Sequence, residues 1–275
     1  MKIVRIRAKE IFSKTRIPEA SYVINQYVGC QHSCLYCYAK FVCRWKNYGE
    51  WGTWVEVKEN APELVKGRLV HGKVVMSSIS DPYQPIEAQL RLTRRILENM
   101  NRRLRLSILT KSPLVTRDID LLSEMERCEV GLTVNGFEGQ VKDLLEPHAP
   151  VHASRIDALR RLVGASIRTF VFISPVIPKL VDVESLLDEV SGLGNHFYVE
   201  LINTRMAGRE FMRVLRSIRR ESYDILVDGD RWRAYVEEIR RLISRRREKI
   251  ALVLHNKLRV ENRIRTDLER WIHGE

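Results

Sequence analysis

The chain is predicted to be an α/β protein, a partial (β/α)6 TIM-like barrel followed by a C-terminal α-rich extension. Three observations predict this. Short β-branched or apolar runs recur six times before residue 206, with stretches of helical period between them. Such alternation builds parallel sheets through βαβ crossovers. No G-x-G-x-x-G fingerprint follows any of the runs, which disfavours a dinucleotide-binding sheet. Finally, polar punctuation falls at the C-terminal end of every run, the rim on which barrels carry their chemistry.

The runs are Tyr22–Val28, Lys73–Ser78, Leu104–Leu109, Glu129–Val134, Arg168–Ile173 and His196–Leu201. A cysteine-rich stretch follows the first, and Ser77–Glu87 the second. Thr110 and Lys111 follow the third, Asn135 the fourth, Ser174–Pro178 the fifth and Asn203–Arg205 the sixth. Between them lie helical patterns. Ala88–Met100 puts Leu92, Ile96 and Leu97 on one face, and Glu87 suits the start of that helix because acidic residues favour a first turn. Thr116–Met125 is a second helix, and Ser154–Val163 a third, with Ser154 as its N-cap. Trp45–Asn60 holds three tryptophans and reads as a lid or irregular insertion. After Arg205 the alternation fades and arginine becomes dense. Arg231–Arg247 reads as one amphipathic helix with Trp232, Tyr235, Val236, Ile239, Leu242 and Ile243 as its apolar stripe. The expected division is a core barrel over 1–205 and a basic, mainly helical extension over 206–275.

At 275 residues the chain is long enough to bury a core without staples. Five cysteines, an odd number, argue against a disulfide framework. The first residues, MKIVRIRAKEIF, contain no continuous apolar run, and no stretch approaches the ~18 apolar residues of a membrane span. The expectation is a cytoplasmic protein with no membrane association. A formal charge of +12 and a pI near 9.6 favour polyanions such as nucleic acid as partners. An ion-paired surface of thermophile type would give the same balance.

Residues Gly29–Ala39 read GCQHSCLYCYA and place Cys30, Cys34 and Cys37 in a C-x₃-C-x₂-C spacing. Thiolates at this density hold zinc or an iron–sulfur cluster. Structural zinc requires a fourth protein ligand, for which His32 and Cys43 are at hand. A cubane held by three thiolates leaves one iron open to another ligand. Spacing alone leaves both readings standing.

The C-x₃-C-x₂-C spacing with Tyr36 just before the third cysteine resembles the signature of radical S-adenosylmethionine (SAM) enzymes. The resemblance narrows through SDPYQPIE (Ser80–Glu87), LTKSPLVTRDIDLL (Leu109–Leu122), EPHAP (Glu146–Pro150) and SPVIP (Ser174–Pro178), in that order. This succession is similar to the spore-photoproduct-lyase-like group, often labelled DNA repair photolyases, over about Tyr22 to Arg205. The resemblance implies a 4Fe–4S cluster on Cys30, Cys34 and Cys37, with SAM chelating the fourth iron. One electron, from a donor such as a ferredoxin or flavodoxin, then cleaves SAM to a 5′-deoxyadenosyl radical that abstracts hydrogen from a substrate, with damaged or modified nucleic acid a candidate. It further implies contacts to SAM from Ser78, Ser80 and Asp81 (amino group), Lys111 (methionine carboxylate), Thr133 and Asn135 (ribose or methionyl group) and Tyr36 (adenine). His32 would shield a cluster sulfur, and Tyr38 would help bury the cluster. No catalytic side chain is assigned. One departure stands out: spore photoproduct lyase is thought to use a thiol near the turn after the second strand, and this chain has none between Cys43 and Cys128. The competing class is a basic nucleic-acid-binding module with structural zinc on the same cysteines.

Overall fold

The computed structural model describes residues 1–255. Its strands are β1 (Lys2–Ile6), β2 (Phe12–Lys14), β3 (Tyr22–Ile24), β4 (Tyr27–Val28), β5 (Trp54–Lys58), β6 (Lys73–Met76), β7 (Arg105–Thr110), β8 (Arg127–Val134), β9 (Arg168–Val176), β10 (His196–Leu201) and β11 (Ile250–Val253). Its helices are α1 (Ala61–Val65), α2 (Glu87–Leu90), α3 (Leu92–Asn99), α4 (Ile119–Ser123), α5 (Gly139–Leu145), α6 (His152–Gly164), α7 (Val183–Glu189), α8 (Thr204–Ile218), α9 (Arg220–Val227) and α10 (Gly229–Ser244).

The main sheet runs β2-β3-β6-β7-β8-β9-β10-β11. β2 is antiparallel to β3. Every other pair is parallel. β2 and β11 end the order, so among the described residues the barrel is open, as the partial (β/α) expectation requires. β8, β9 and β10 turn Val130, Leu132, Val171, Ile173, Phe197 and Val199 into the main apolar core. The alternating residues of β9 and β10 form an aromatic layer on the opposite face, with Phe170 stacked on His196 at 5.2 Å. Gly131 makes room for it: a Cβ there would lie 2.2 Å from the Phe170 ring.

All six expected strands form, with one break. Tyr22–Val28 is two strands, because β3 joins the main sheet while β4 pairs with β5 in a small β1-β5-β4 sheet. Asn25 and Gln26 sit between them. Their amides bind across the junction: Ser78 N donates to Asn25 Oδ1 at 2.8 Å, and Gln26 Nε2 donates to Thr93 Oγ1 at 2.9 Å. The tryptophan-rich insertion is thus partly regular, contributing β5. Ala88–Met100 is broken at Arg91, whose φ is +48°. There the buried Glu87 carboxylate accepts from Thr93 N at 2.9 Å and Arg94 N at 3.3 Å, supplying the cap expected of it. Thr116–Met125 begins as a 3-10 turn (Pro113–Asp118) before α4. Ser154 is not an N-cap: α6 starts two residues earlier, after Val151, and the Ser154 hydroxyl donates back to Val151 O.

Beyond Arg205, α8, α9 and α10 form one long crossover, and α10 buries Tyr235, Val236 and Ile239 of the expected stripe. The chain then returns a strand that the sequence does not predict: β11 pairs parallel with β10. Among the described residues no helix is long and apolar enough to cross a membrane.

Candidate active site

The three-cysteine loop leaves β4 at Gly29, whose φ is +87° and where a Cβ would lie 2.7 Å from Trp54 O. Only glycine fits that approach. Two segments clamp the loop. On one side Gln31 N donates to Gln84 Oε1 at 2.9 Å and Gln84 Nε2 donates to Gly29 O at 3.2 Å, tying it to the Asp81–Pro85 turn after β6. On the other, Leu35 N donates to Leu145 O at 2.9 Å and His148 N donates to His32 O at 3.4 Å, tying it to Glu146–Pro150. Within the loop, Ser33 N donates to Cys30 O and Cys37 N to Cys34 O. Cys30 and Cys34 are buried and Cys37 half-buried.

Neither candidate fourth donor joins the cysteines. His32 is turned away: its Nδ1 lies 3.3 Å from His148 O and its Nε2 3.3 Å from Asp81 Oδ2. Cys43 sits in the 3-10 segment Tyr38–Arg44 and packs on the small apolar cluster of Val28, Val42 and Trp54. The donor set therefore fits a cluster held at three corners. Burial pushes all three thiols up, Cys34 to about 12, with the Glu146 carboxylate adding to it. Deprotonation thus has to be coupled to a bound cation, the usual linkage at a thiolate centre.

Asp81 stands beside the loop, buried. Its Oδ1 accepts from Tyr83 N at 2.8 Å and Thr110 Oγ1 at 2.6 Å, and Oδ2 from Lys111 N at 2.8 Å. Burial alone would raise its carboxyl, but His32, Thr110 and the Lys111 amide outweigh it and hold the pKa at about 2. Because its folded value is depressed, Asp81 contributes stability that is present above the unfolded value of ~3.9 and lost as pH falls through about 2. Asp81→Asn is expected to remove about 2 kcal/mol at neutral pH. It should also flatten the acid limb between roughly pH 4 and 2, measured by denaturant unfolding across that window. Of the neighbouring serines, Ser80 Oγ donates to Tyr27 O at 3.1 Å, and Ser78 Oγ accepts from Asn25 Nδ2 at 3.2 Å.

A second buried cluster lies on the other side of the cysteines. Glu146 and Arg155 are fully buried and form an ion pair. Arg155 also donates to Pro150 O at 2.7 Å and to Thr133 O at 3.2 Å, which fixes the end of β8. The Tyr36 hydroxyl donates to Glu146, as does Asn135 Nδ2 at 2.9 Å. Lys111 Nζ is 3.9 Å from Glu146 Oε1 and 5.7 Å from the centre of the Tyr36 ring. Burial lowers the Lys111 pKa, but Glu146 and Cys34 more than reverse that, so its ammonium stays charged. One carboxylate thus faces two cations, and the surplus charge lies beside the cysteine loop.

The family model for the radical SAM superfamily matches residues 24–190. The chain belongs to the radical SAM superfamily. It is an enzyme of that fold, and the family implies SAM and an iron–sulfur cluster. An uncharacterized protein of Methanocaldococcus jannaschii is 48% identical over 246 residues, covering 90% of this chain and 95% of that one. Another from Acidianus two-tailed virus is 28% identical, covering 70% of this chain and 71% of its own. Among solved structures, spore photoproduct lyase complexed with dinucleoside spore photoproduct superposes with a TM-score of 0.62 at 15% identity, covering 91% of this chain and 81% of that one. A variant of that lyase with bound AdoMet and the same dinucleoside gives 0.61 at 17% identity, covering 92% and 82%.

Of the residues expected at the site, Tyr36, Lys111 and Asn135 meet at Glu146, Thr133 is tied to the same cluster through Arg155, Asp81 binds the Lys111 amide, and Ser78 and Ser80 bond to Asn25 and Tyr27 instead. Tyr38 is 49% exposed and only partly covers the loop, with its hydroxyl on Ser78 O. His148 is exposed, with its backbone bonded to His32 of the loop, and His152 pairs with Glu189 at 2.8 Å. Cys128 packs against the core near the start of β8, at the opposite end from the cysteine loop. Two partners escape sequence reasoning. Glu146 lies in the EPHAP stretch without an assigned role, and Arg155 reads as one more arginine of an amphipathic helix.

Proposed function

We propose that this enzyme binds a 4Fe–4S cluster on Cys30, Cys34 and Cys37 and uses SAM, held at the open iron, to abstract hydrogen from a nucleic-acid substrate. The observation that carries the reading is the three-thiol loop with both spare donors turned elsewhere, next to an ammonium whose carboxylate neighbour is already paired. When bound and reduced, the cluster supplies the electron that cleaves SAM into methionine and a 5′-deoxyadenosyl radical. The protein's own residues do the rest. Lys111 offers its surplus charge to the methionine carboxylate. Ser78 and Ser80 present hydroxyl lone pairs to the amino group. Asp81 has its oxygens engaged by Thr110, Tyr83 and Lys111, so its part is to hold His32 and the loop and to add negative charge near the ammonium. Tyr36 forms a wall for the adenine, and Asn135 and Thr133 line the floor. The nucleic-acid assignment rests on the +12 charge and on a fold shared with a protein solved with a dinucleoside. A ferredoxin or flavodoxin in the cytoplasm would supply the electron.

Protein purified without oxygen is expected to be brown, to carry about four irons per chain with little zinc, and to release 5′-deoxyadenosine on addition of dithionite and SAM. Colourless, zinc-loaded protein that forms no 5′-deoxyadenosine would overturn the reading in favour of a structural zinc module.

A further inference from the structure

Immediately after Cys37 the 3-10 segment Tyr38–Arg44 and the residue following it set three aromatic rings in a row. Tyr38 stacks on Phe41 at 6.4 Å, and Phe41 meets Trp45 edge-on at 5.3 Å. The row is anchored at one end, where the Tyr38 hydroxyl reaches Ser78 O at the end of β6, and at its middle, where Phe41 packs on Val28, Val42 and Trp54. Its other end is open: Trp45 is 73% exposed, more than any other large apolar side chain among the described residues. A tryptophan held edge-on to a fixed ring, with its surface left to solvent, is costly as a folding element and well suited as a stacking surface.

Positive charge accompanies this row. α8 packs against α5, whose last residue Leu145 accepts from Leu35 N of the cysteine loop, so α8 flanks the loop from which the aromatic row runs on; the electrostatic influence of Glu210 on Lys40 agrees with this placement. There Arg205, Arg209 and Arg213 are exposed, and among the described residues they pair with no carboxylate. Some arginines farther along are ion-paired, among them Arg220, Arg233 and Arg246. Gly208, at φ +87°, kinks α8 between Arg205 and Arg209. Arg44, exposed and also without a carboxylate partner among the described residues, adds a cation next to Trp45.

We infer that this rim is a platform for unpaired, single-stranded nucleic acid, with bases stacked on Trp45 and phosphates on Arg205, Arg209 and Arg213. The inference rests on the reading that the substrate enters over the cysteine loop. Aromatic stacking with unpaired arginines distinguishes strands whose bases are exposed from duplexes, whose faces are hidden. It delivers a base to the cysteine loop without reading its sequence.

The test is fluorescence anisotropy of labelled dodecamers, oligo-dT, oligo-rU and a mixed duplex, with the full-length, cluster-loaded protein. It needs neither reductant nor SAM, so it fails or succeeds independently of the radical reading. Single strands are expected to bind more tightly than duplex. Trp45→Ala should weaken single-strand binding about tenfold, Trp45→Phe should restore most of it and Trp45→Leu should not. Arg209→Ala and Arg213→Ala should each reduce the slope of log affinity against log salt by about 0.7. Arg233→Ala, on a paired arginine, should change neither. Absence of oligonucleotide binding, duplex bound as tightly as single strand, or Trp45→Ala without effect would each overturn the inference; the second would leave only a nonspecific basic surface.

Discussion

Cys34→Ala protein is expected to lose its iron and to form no 5′-deoxyadenosine above the buffer background. The reason is the shortage of donors. Three thiols form the set, and the two nearby groups that could replace one are held away, His32 by Asp81 and the His148 carbonyl and Cys43 by the Trp54 cluster. A cluster reduced to two thiolates has no local substitute. Cys34→Ser should fare no better, since a buried hydroxyl does not ionise where even the thiol is pushed up to about 12. Cys43→Ala should keep full iron content and activity. Iron retained in Cys34→Ala but lost in Cys43→Ala would mean that the ligand set has been misassigned.

Arg155→Met is expected to be the most destabilising single change near the site, by about 3 kcal/mol, because it leaves the buried Glu146 carboxylate with only the more distant Lys111 as counter-charge. Glu146 is lowered at present: burial would raise it, and Arg155 and Lys111 outweigh that. Without Arg155 the raising effect of burial gains, and a carboxyl whose folded value is raised costs stability as pH rises through it. The deficit in urea unfolding should therefore shrink on going from neutral to acid pH. The double variant Glu146→Gln/Arg155→Met, which leaves only the partly exposed Lys111 ammonium without its carboxylate, should recover a good part of the loss. A single variant that unfolds at the parent's urea midpoint would show that this pair does not hold the β8–α6 corner.

The parts of this molecule that were legible in the sequence are those with local signals. Six strands show as β-branched runs, and the cysteine spacing reports a chelating loop whatever surrounds it. Glu87 as a cap was legible too, since an acidic residue before an apolar periodic stretch has few other uses. The β4–β5 pairing was not, because a two-residue strand has no period and its partner lies among aromatic residues that read as a lid. β11 was hidden for a similar reason: Ile250–Val253 is too short to tell from the end of the preceding amphipathic pattern. Arg155 shows why buried charges escape such reasoning. Nine residues separate it from Glu146, on a helix with Arg160 and Arg161 both exposed, and nothing local marks which arginine points inward. Asp81 was legible only as a polar residue after the second strand; its bonds to Thr110 and the Lys111 amide cross to the end of β7, about thirty residues away, and no local signal reports them.

The central claim is that three thiolates leave one metal corner for SAM itself. The most direct measurement is pulsed EPR of the reduced, cluster-loaded protein mixed with SAM isotopically labelled at its amino nitrogen. Hyperfine coupling between that nitrogen and the cluster spin is predicted, absent from the reduced protein without SAM and replaced by that of the natural isotope when unlabelled SAM is used. A cluster signal that carries no coupling to the labelled nitrogen, with the fourth corner coupled to a histidine or a further protein thiolate, would contradict it.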